Sequence, residues 1–420
     1  VNSMAMTHHH VLHIEAPSGS PNAKISLPAS KSISNRVLII KALSKSQDKI
    51  ENLSDSDDTR VMEAILASDG PFFDVGHAGT AMRFLTAYLS RTAGEWLLTG
   101  SERMQQRPVK VLVEALRKLG ALIEYAGEDG FPPLKITGTL LKGGTLELDG
   151  SISSQYITAL LLIAPTLEGG LTLLLQNRVT SRSYIGMTLR LLEQAGVRSI
   201  WKNNEITVPR QSFLPCGFTV ESDWTAASYW YEILALSKSG EVLLENLRLS
   251  GLQGDEAVSY WFEAFGITTT TTEHAILITK KEDVRPSRVF LDFHENPDVG
   301  QTLATLCVAK GIPFHFKGLE TLRIKETDRI AALQKELSKF GAGIVVPAPG
   351  ELKWDGVIHP DLAQDLPVID TYDDHRMAMA FAPMALTGKP LVIRNPGVVT
   401  KSYPAFWNDL RQAGFMISEA

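Results

Sequence analysis

"LRKLGALIEY", residues 116–125, joins a helical run to a β-type run across Gly120, and the same shape returns four more times. The copies are "LLEQAGVRSI" at 191–200, "FEAFGITTTT" at 262–271, "LSKFGAGIVV" at 337–346 and "LRQAGFMIS" at 410–418. Each glycine stands where a helix would end in the left-handed conformation, which a residue without Cβ adopts most easily. The five, Gly120, Gly196, Gly266, Gly341 and Gly414, are spaced 76, 70, 75 and 73 residues apart. One further unit fits before Gly120, so six units of roughly 70 residues fill the chain. That period is too long for a solenoid and long enough for mixed strands and helices. The expectation is six α/β units divided three and three between two domains, a number that 420 residues also favours. A crossing is expected near "FTVESDWTAASYW", 218–230, where a β-like run ends at Val220 and Asp223 stands as an N-cap.

Composition narrows the function. A charge of -6 with pI near 6.0 offers no general attraction to nucleic acid or to acidic membranes, so any anion-binding surface must be local. Cys216 and Cys307 form neither a disulfide framework nor paired metal ligands, which suits a reducing cytoplasm. The most apolar stretch, from Tyr156, is interrupted by Pro165, Glu168, Gly169 and Gly170 and does not read as membrane-spanning. The N-terminal stretch carries no signal-peptide pattern, and His8, His9 and His10 read as a tail rather than a metal site.

Cations gather at helix starts. In "IKETDRIAAL", 324–333, Ile330, Leu333, Leu337 and Phe340 predict an amphipathic helix capped by Thr327 or Asp328. That puts Arg329 in the first turn, where a cation costs about 0.3–1 kcal/mol unless an anion sits nearby. Either neighbouring carboxylates or a ligand must supply it. Comparable mouths occur at Lys31 and Arg36 with Ser30, Ser32 and Ser34, at Arg83 with Gly79 and Thr80, at Arg182 with Ser181 and Tyr184, and at His375 with Arg376. Ser153, Ser154 and Gln155 bring hydrogen-bonding groups to a sixth. Exposed N–H groups and arginine forks suit phosphate and carboxylate. One such mouth is an ordinary capped helix; five in an acidic chain point to a cleft between domains that holds two anionic small molecules.

Walker and dinucleotide fingerprints are missing, as are paired zinc motifs, which disfavours a nucleotide-dependent kinase or dehydrogenase. Glu326, Asp298, His375 and Lys31 are the acid–base candidates. Taken singly, "NPD" at Asp298 is a turn, Glu326 serves equally as an ion-pair partner of Arg329, and His375 reads as a structural residue.

Taken together, "SKSISNR", "AGTAMR", Arg107-Pro108, "SSQ", Asp298 after Pro297, "KETDR", "DDHRMAM" and "TKSYP" resemble, in order and along nearly the full chain, the 5-enolpyruvylshikimate-3-phosphate synthase family. The resemblance implies two inside-out α/β domains, each of three repeated units, with the active site in the interdomain cleft. It divides the chain into 31–221, and 1–30 with 222–420. It implies transfer of enolpyruvyl from phosphoenolpyruvate to the 5-hydroxyl of shikimate 3-phosphate, with no metal or organic cofactor, in a cytoplasmic monomer. Carried over by motif, Lys31, Ser32, Arg36, Ser153, Ser154, Gln155, Ser181, Tyr184, Asp298 and Lys325 would hold shikimate 3-phosphate. Lys31, Gly79, Arg107, Gln155, Arg329, Arg376 and Lys401 would surround phosphoenolpyruvate. Asp298 would accept the hydroxyl proton, Glu326 would protonate the methylene carbon, and Lys31 would be a second acid–base group.

Three positions depart from the family pattern. His77 replaces the usual asparagine, Phe84 follows Arg83 where proline is common, and Thr321 stands where an asparagine often helps hold the shikimate phosphate. Because Gly79 is kept, sensitivity to glyphosate, which resembles phosphoenolpyruvate, is the default expectation. Two other readings remain. A sister transferase acting on UDP-N-acetylglucosamine would carry Lys-Asn where this chain has Lys31-Ser32, and a reactive loop cysteine. A non-catalytic anion binder would keep the cationic residues and bind without turnover.

Overall fold

The computed structural model describes residues 10–151 and 153–419. The readings made on the first nine residues, His8 and His9 among them, lie outside the described residues; His10 pairs with Glu419 at 3.2 Å. The chain forms two compact units. One, the Lys31 unit, comprises Ala29–Asp223 and Ser250–Gly254; the other, the Asp298 unit, comprises the chain up to Pro28, Trp224–Leu249 and Asp255 onward. The short excursion joins the Lys31 unit because Ser250 Oγ and Gln253 Nε2 donate to Glu221 Oε1 at 3.1 and 2.8 Å.

Each unit contains three sheets, all built to one plan among the described residues. A parallel pair is extended by antiparallel strands. In the Lys31 unit, Phe72–Asp74 runs parallel to Gly94–Thr99, and Leu134–Gly138 and Leu122–Tyr125 follow antiparallel. Gly144–Asp149 and Leu171–Gln176 repeat the parallel pair, with Glu205–Val208 and Ile200–Lys202 beyond them. The third sheet is reduced to the parallel pair Ile50–Glu51 and Phe218–Thr219.

The Asp298 unit follows suit. Asn22–Ser26 pairs parallel with Gly240–Glu245, and Ala275–Lys280 and Ile267–Thr271 complete that sheet. Val368–Ile369 pairs parallel with Leu391–Arg394, followed by Val11–Glu15 and Met416–Glu419. In the third, Val289–Asp292, Phe314–Lys317 and Leu352–Trp354 are ordinary strands, while the expected edge strand after Gly341 shrinks to two isolated bridges, Ala342 with Ile358 and Val345 with Lys353.

All five glycines adopt positive φ, from 79° at Gly196 to 101° at Gly120. In the sixth unit Lys31–Ser44 leads into the parallel strand Ile50–Glu51, as Gly79–Arg91 leads into Gly94–Thr99, and the next helix, Asp57–Leu66, ends at Ala67 in the right-handed region, so this unit lacks the glycine cap. Lys45 takes a left-handed cap of its own at φ 53°, which costs a side chain about 1–2 kcal/mol.

Helices fill the inside of each unit. Ser154–Ile163 is buried from Tyr156 to Ile163, and Trp224–Leu236 is buried at every residue but the last. Helices that are apolar all round belong in a core, and sheets flank them, which is the inside-out arrangement the family resemblance implies. Cys307 lies in such a helix, Gly300–Ala309, with its thiol pushed up by burial and then by Glu232, so it is inert core rather than a reactive loop cysteine.

Glu232 itself is fully buried, receives Thr305 Oγ1 at 2.7 Å on one oxygen, and has no hydrogen-bond partner on the other. Burial raises its pKa well above the ordinary carboxyl value against the Thr305 bond. A raised folded pKa gives a contribution that is complete below the unfolded value of about 4.3 and is lost as pH rises toward the folded value. Glu232→Gln is therefore expected to stabilise the protein at pH 8, by about 1–3 kcal/mol, and by less at pH 4.5. Thermal melts at the two pH values check this; an equal effect at both contradicts it.

Candidate functional site

The Lys31 unit presents its site residues at helix N-termini. Lys31 is the first residue of Lys31–Ser44, with Nζ 3.3 Å from Asp58 Oδ2, a buried partner the sequence did not single out. Arg36, one turn further in, is 3% exposed. Its guanidinium donates to Thr188 Oγ1 at 2.9 Å, Ser32 O at 2.7 Å, and Thr158 Oγ1 and Tyr184 O at 3.4 Å each. The rings of Phe84 and Tyr184 lie 5.5 and 5.9 Å from it. Burial lowers its pKa to about 10, against the pull of Tyr184, so it stays charged at neutral pH.

Gly79 opens the helix Gly79–Arg91, and a Cβ there would come within 2.6 Å of Arg107 Nη1. The missing side chain is what admits the arginine. Arg107 is 8% exposed, its Nε has no hydrogen-bond partner, and no carboxylate among the described residues pairs with it. A buried cation without counter-ion costs several kcal/mol, which an incoming anion recovers. Gln155 follows the N-cap Ser153, and its Nε2 donates to Thr80 Oγ1 at 3.3 Å. That bond ties the "SSQ" mouth to the Gly79 mouth. Ser181 caps Arg182–Gln194 from the left-handed region at φ 53°, and Tyr184 lies in the first turn.

Two of the expected mouth cations serve the fold. Arg83 bends back to Gly79 O at 3.1 Å and to Pro108 O at 3.3 Å, bracing the segments that carry Gly79 and Arg107. Arg182 lies 4.4 Å over the ring of Trp201. His77, exposed, meets Ser101 Oγ at 3.1 Å beside the turn leading to Arg107.

In the Asp298 unit the charges interlock. Asp298 sits in the turn Pro297–Val299 before Gly300–Ala309. Its Oδ1 receives Arg329 Nη1 at 2.9 Å and has Lys325 Nζ at 3.5 Å, while Oδ2 receives Arg376 Nη2 at 3.0 Å. Burial would raise its pKa, yet Arg376, Lys325 and Arg329 together hold it well below the usual carboxylate range. Glu326 receives Arg329 Nη2 at 3.0 Å and Lys401 Nζ at 2.7 Å.

Asp328, not Thr327, caps Arg329–Ser338, accepting from Ile330 N and Ala331 N at 3.1 Å each. Arg329 is 1% exposed and meets Asp374 at 2.6 and 3.2 Å besides Asp298 and Glu326. Of the two sources of compensation open in the sequence, this structure uses the carboxylates. Burial opposes the charge of Arg329, and Asp374, Glu326 and Asp298 outweigh it. Lys325 is the softer cation: burial, with Arg329 and Arg376, lowers its pKa despite Asp298 and Glu326.

Asp374 is the functional residue the sequence reading passed over. It caps His375–Phe381 by accepting from Arg376 N at 2.9 Å while its oxygens hold Arg329. A second acidic residue directly before "HR" was the available signal. His375 is buried, with Nδ1 3.8 Å from Asp374 Oδ1. No group of His, Cys, Asp and Glu suited to a metal ion occurs among the described residues, and no helix there is long and apolar enough to cross a membrane.

A threefold-repeated α/β fold with helix mouths carrying buried cations, and carboxylates set among lysines and arginines, defines an enzyme class that handles small anions by charge neutralisation and proton transfer. A family model described as EPSP synthase (3-phosphoshikimate 1-carboxyvinyltransferase) matches residues 16–71 and 67–410. A 3-phosphoshikimate 1-carboxyvinyltransferase of Bacteroides fragilis strain YCH46 is 50% identical over 405 residues, covering 96% of this chain and 98% of that protein. One from Vibrio cholerae serotype O1 strain M66-2 is 37% identical over 428 residues, covering 93% and 96%. A solved EPSP synthase from Acinetobacter baumannii shares the fold with a TM-score of 0.78 at 22% identity, covering 98% of this chain and all of that one. The chain belongs to the EPSP synthase family, the 3-phosphoshikimate 1-carboxyvinyltransferases.

Proposed function

We propose that this enzyme transfers the enolpyruvyl group of phosphoenolpyruvate to the 5-hydroxyl of shikimate 3-phosphate and releases phosphate, acting as a monomer in the cytoplasm. The observation that carries the reading is Arg107, a buried guanidinium without counter-ion against the side-chain-free N-terminus at Gly79. Phosphoenolpyruvate supplies the missing charge there, with Lys31, Gln155, Arg329, Arg376 and Lys401 as further ligands. Shikimate 3-phosphate is held by Lys31, Ser32, Arg36, Ser153, Ser154, Gln155, Ser181, Tyr184, Asp298 and Lys325. The flat guanidinium of Arg36, framed by hydroxyls and two rings, suits a carboxylate or phosphate.

Chemistry proceeds by addition and elimination. Glu326 delivers a proton to the methylene carbon as the 5-hydroxyl oxygen bonds to the adjacent carbon, and Asp298 takes the hydroxyl proton. Loss of a methyl proton and of phosphate from the tetrahedral intermediate then restores the double bond, with Lys31 as a second acid–base group. Asp298 is a weak base while three cations face it; substrate anions that engage Arg376 and Lys325 dilute their pull and raise its basicity.

Phosphate release with both substrates tests the function, with UDP-N-acetylglucosamine as competing acceptor. Turnover that requires shikimate 3-phosphate supports it; binding without turnover, or preference for the nucleotide sugar, overturns it. Gly79→Ala is expected to push Arg107 aside and raise KM for phosphoenolpyruvate about 10- to 100-fold, leaving KM for shikimate 3-phosphate nearly unchanged. Steady-state kinetics in both substrates checks this.

A further inference from the structure

A further buried carboxylate, Asp255, stands behind Asp298 and is not accounted for by the roles above. It lies in the turn Gly254–Ala257 and is 4% exposed. One oxygen receives Thr225 Oγ1 at 2.5 Å, from the second residue of Trp224–Leu236; the other receives Asn296 Nδ2 at 3.2 Å. Asn296 is fixed at its backbone as well, its N–H donating to Phe293 O at 3.0 Å and its carbonyl accepting from Val299 N at 3.1 Å. Pro297 then locks the step to Asp298. Asn296 is therefore held at three points, the carboxyl of Asp255 being the one supplied from another element.

We propose that Asp255 is a positioning residue for Asp298, orienting the Asn296–Asp298 turn and using its own negative charge to keep Asp298 basic enough to accept the hydroxyl proton. This rests on the transferase reading above. The groups facing Asp255 are Thr225 from the inner helix, Asn296 and Asp298 from the turn, and Arg376 from His375–Phe381. Burial, foremost, raises the pKa of Asp255 to about 6; Asp298 adds to that, while Thr225, Asn296 and Arg376 oppose it. Above that pH the ionised carboxyl works against the cations that suppress Asp298. Below it the charge is gone and Asp298 weakens as a base, so kcat should have an acid limb near pH 6.

Three enzymes decide it: wild type, Asp255→Asn and Thr225→Val, each assayed for phosphate release from pH 5 to 9 and melted in parallel. Asp255→Asn keeps the shape and removes the charge. It is expected to lose about 10- to 100-fold in kcat, to keep both KM values within about threefold, and to lose the acid limb. Thr225→Val removes a hydrogen bond that favours the ionised form. It is expected to shift the limb to higher pH while kcat at pH 9 falls less than about threefold.

An Asp255→Asn enzyme with wild-type kcat and an unmoved limb overturns the assignment. So does a kcat loss accompanied by comparable rises in both KM values, the pattern of a distorted substrate site. If Asp255→Asn does not fold, Thr225→Val decides alone, an unshifted limb being fatal. Wild type is read first: its silence with both substrates overturns the transferase reading and this inference with it, whereas an active wild type with an indifferent Asp255→Asn overturns only the role of Asp255.

Discussion

Arg107→Leu is expected to lose about 10²- to 10³-fold in kcat/KM for phosphoenolpyruvate and yet to melt no lower than wild type. Most arginine-to-apolar changes in a folded core cost stability because they orphan a carboxylate. Here there is none to orphan among the described residues, and the guanidinium Nε is itself unpartnered. Leucine removes a buried uncompensated charge, so a gain of up to about 1–4 kcal/mol is expected. Phosphate or phosphoenolpyruvate at 100 times its Kd should stabilise wild type by about 2.7 kcal/mol and the variant much less. The measurement is a thermal melt with and without the anion, beside steady-state kinetics. An apo variant that melts clearly below wild type would mean that Arg107 holds the fold rather than a ligand.

Asp298→Asn is expected to do the opposite and damage both properties. Asp298 is the counter-ion of Arg329, Arg376 and Lys325 at 2.9, 3.0 and 3.5 Å. Neutralising it takes one carboxylate from the buried Arg329 and Arg376 and the half-buried Lys325 at once, a loss of about 3–5 kcal/mol. The proton acceptor goes too, at a cost of about 10²- to 10⁴-fold in kcat. The sign of the pH dependence follows from the depressed folded pKa of Asp298. Its stabilisation is fully present above the unfolded value of about 3.9 and is lost as pH falls toward the folded one. The stability gap between variant and wild type should hold from pH 8 down to 5 and narrow only below about 4. Chemical denaturation across that range decides it; a variant as stable as wild type at pH 7 would remove Asp298 from the centre of the network.

The contrast between these two residues marks how far the sequence could be read. "KETDR", "NPD" and "DDHR" show that cations and carboxylates recur, but not which of them meet. In the sequence Arg329 is a first-turn cation compensated either by neighbouring carboxylates or by a ligand, and the structure surrounds it with Asp298, Glu326 and Asp374. Arg107 was marked only by a dipeptide, and it is buried with no carboxylate partner among the described residues. The backbone contacts of two other arginines were legible in principle. Arg36 and Arg83 each follow by four residues the carbonyl they donate to, Ser32 O and Gly79 O, and residues four apart on a helix lie on one face. Lys45 was not legible in this way, because nothing in its side chain announces a left-handed backbone.

The sequence by itself determined the sixfold period, the apolar inner helices and the residue types at each helix mouth. These follow from local rules: a left-handed cap favours glycine, a helix buried all round must be apolar, and an N-cap favours a short polar side chain. Only the tertiary structure decided which charge finds a partner. Asp298 meets Arg376 78 residues away, Arg329 meets Asp374 across 45, and Asn296 meets Asp255 across 41. Pairings at such separations are fixed by how the elements of the Asp298 unit pack, and the balance of burial against neighbouring charge then sets a carboxyl's strength as a base: the cations prevail at Asp298 and weaken it, while burial prevails at Asp255 and strengthens it.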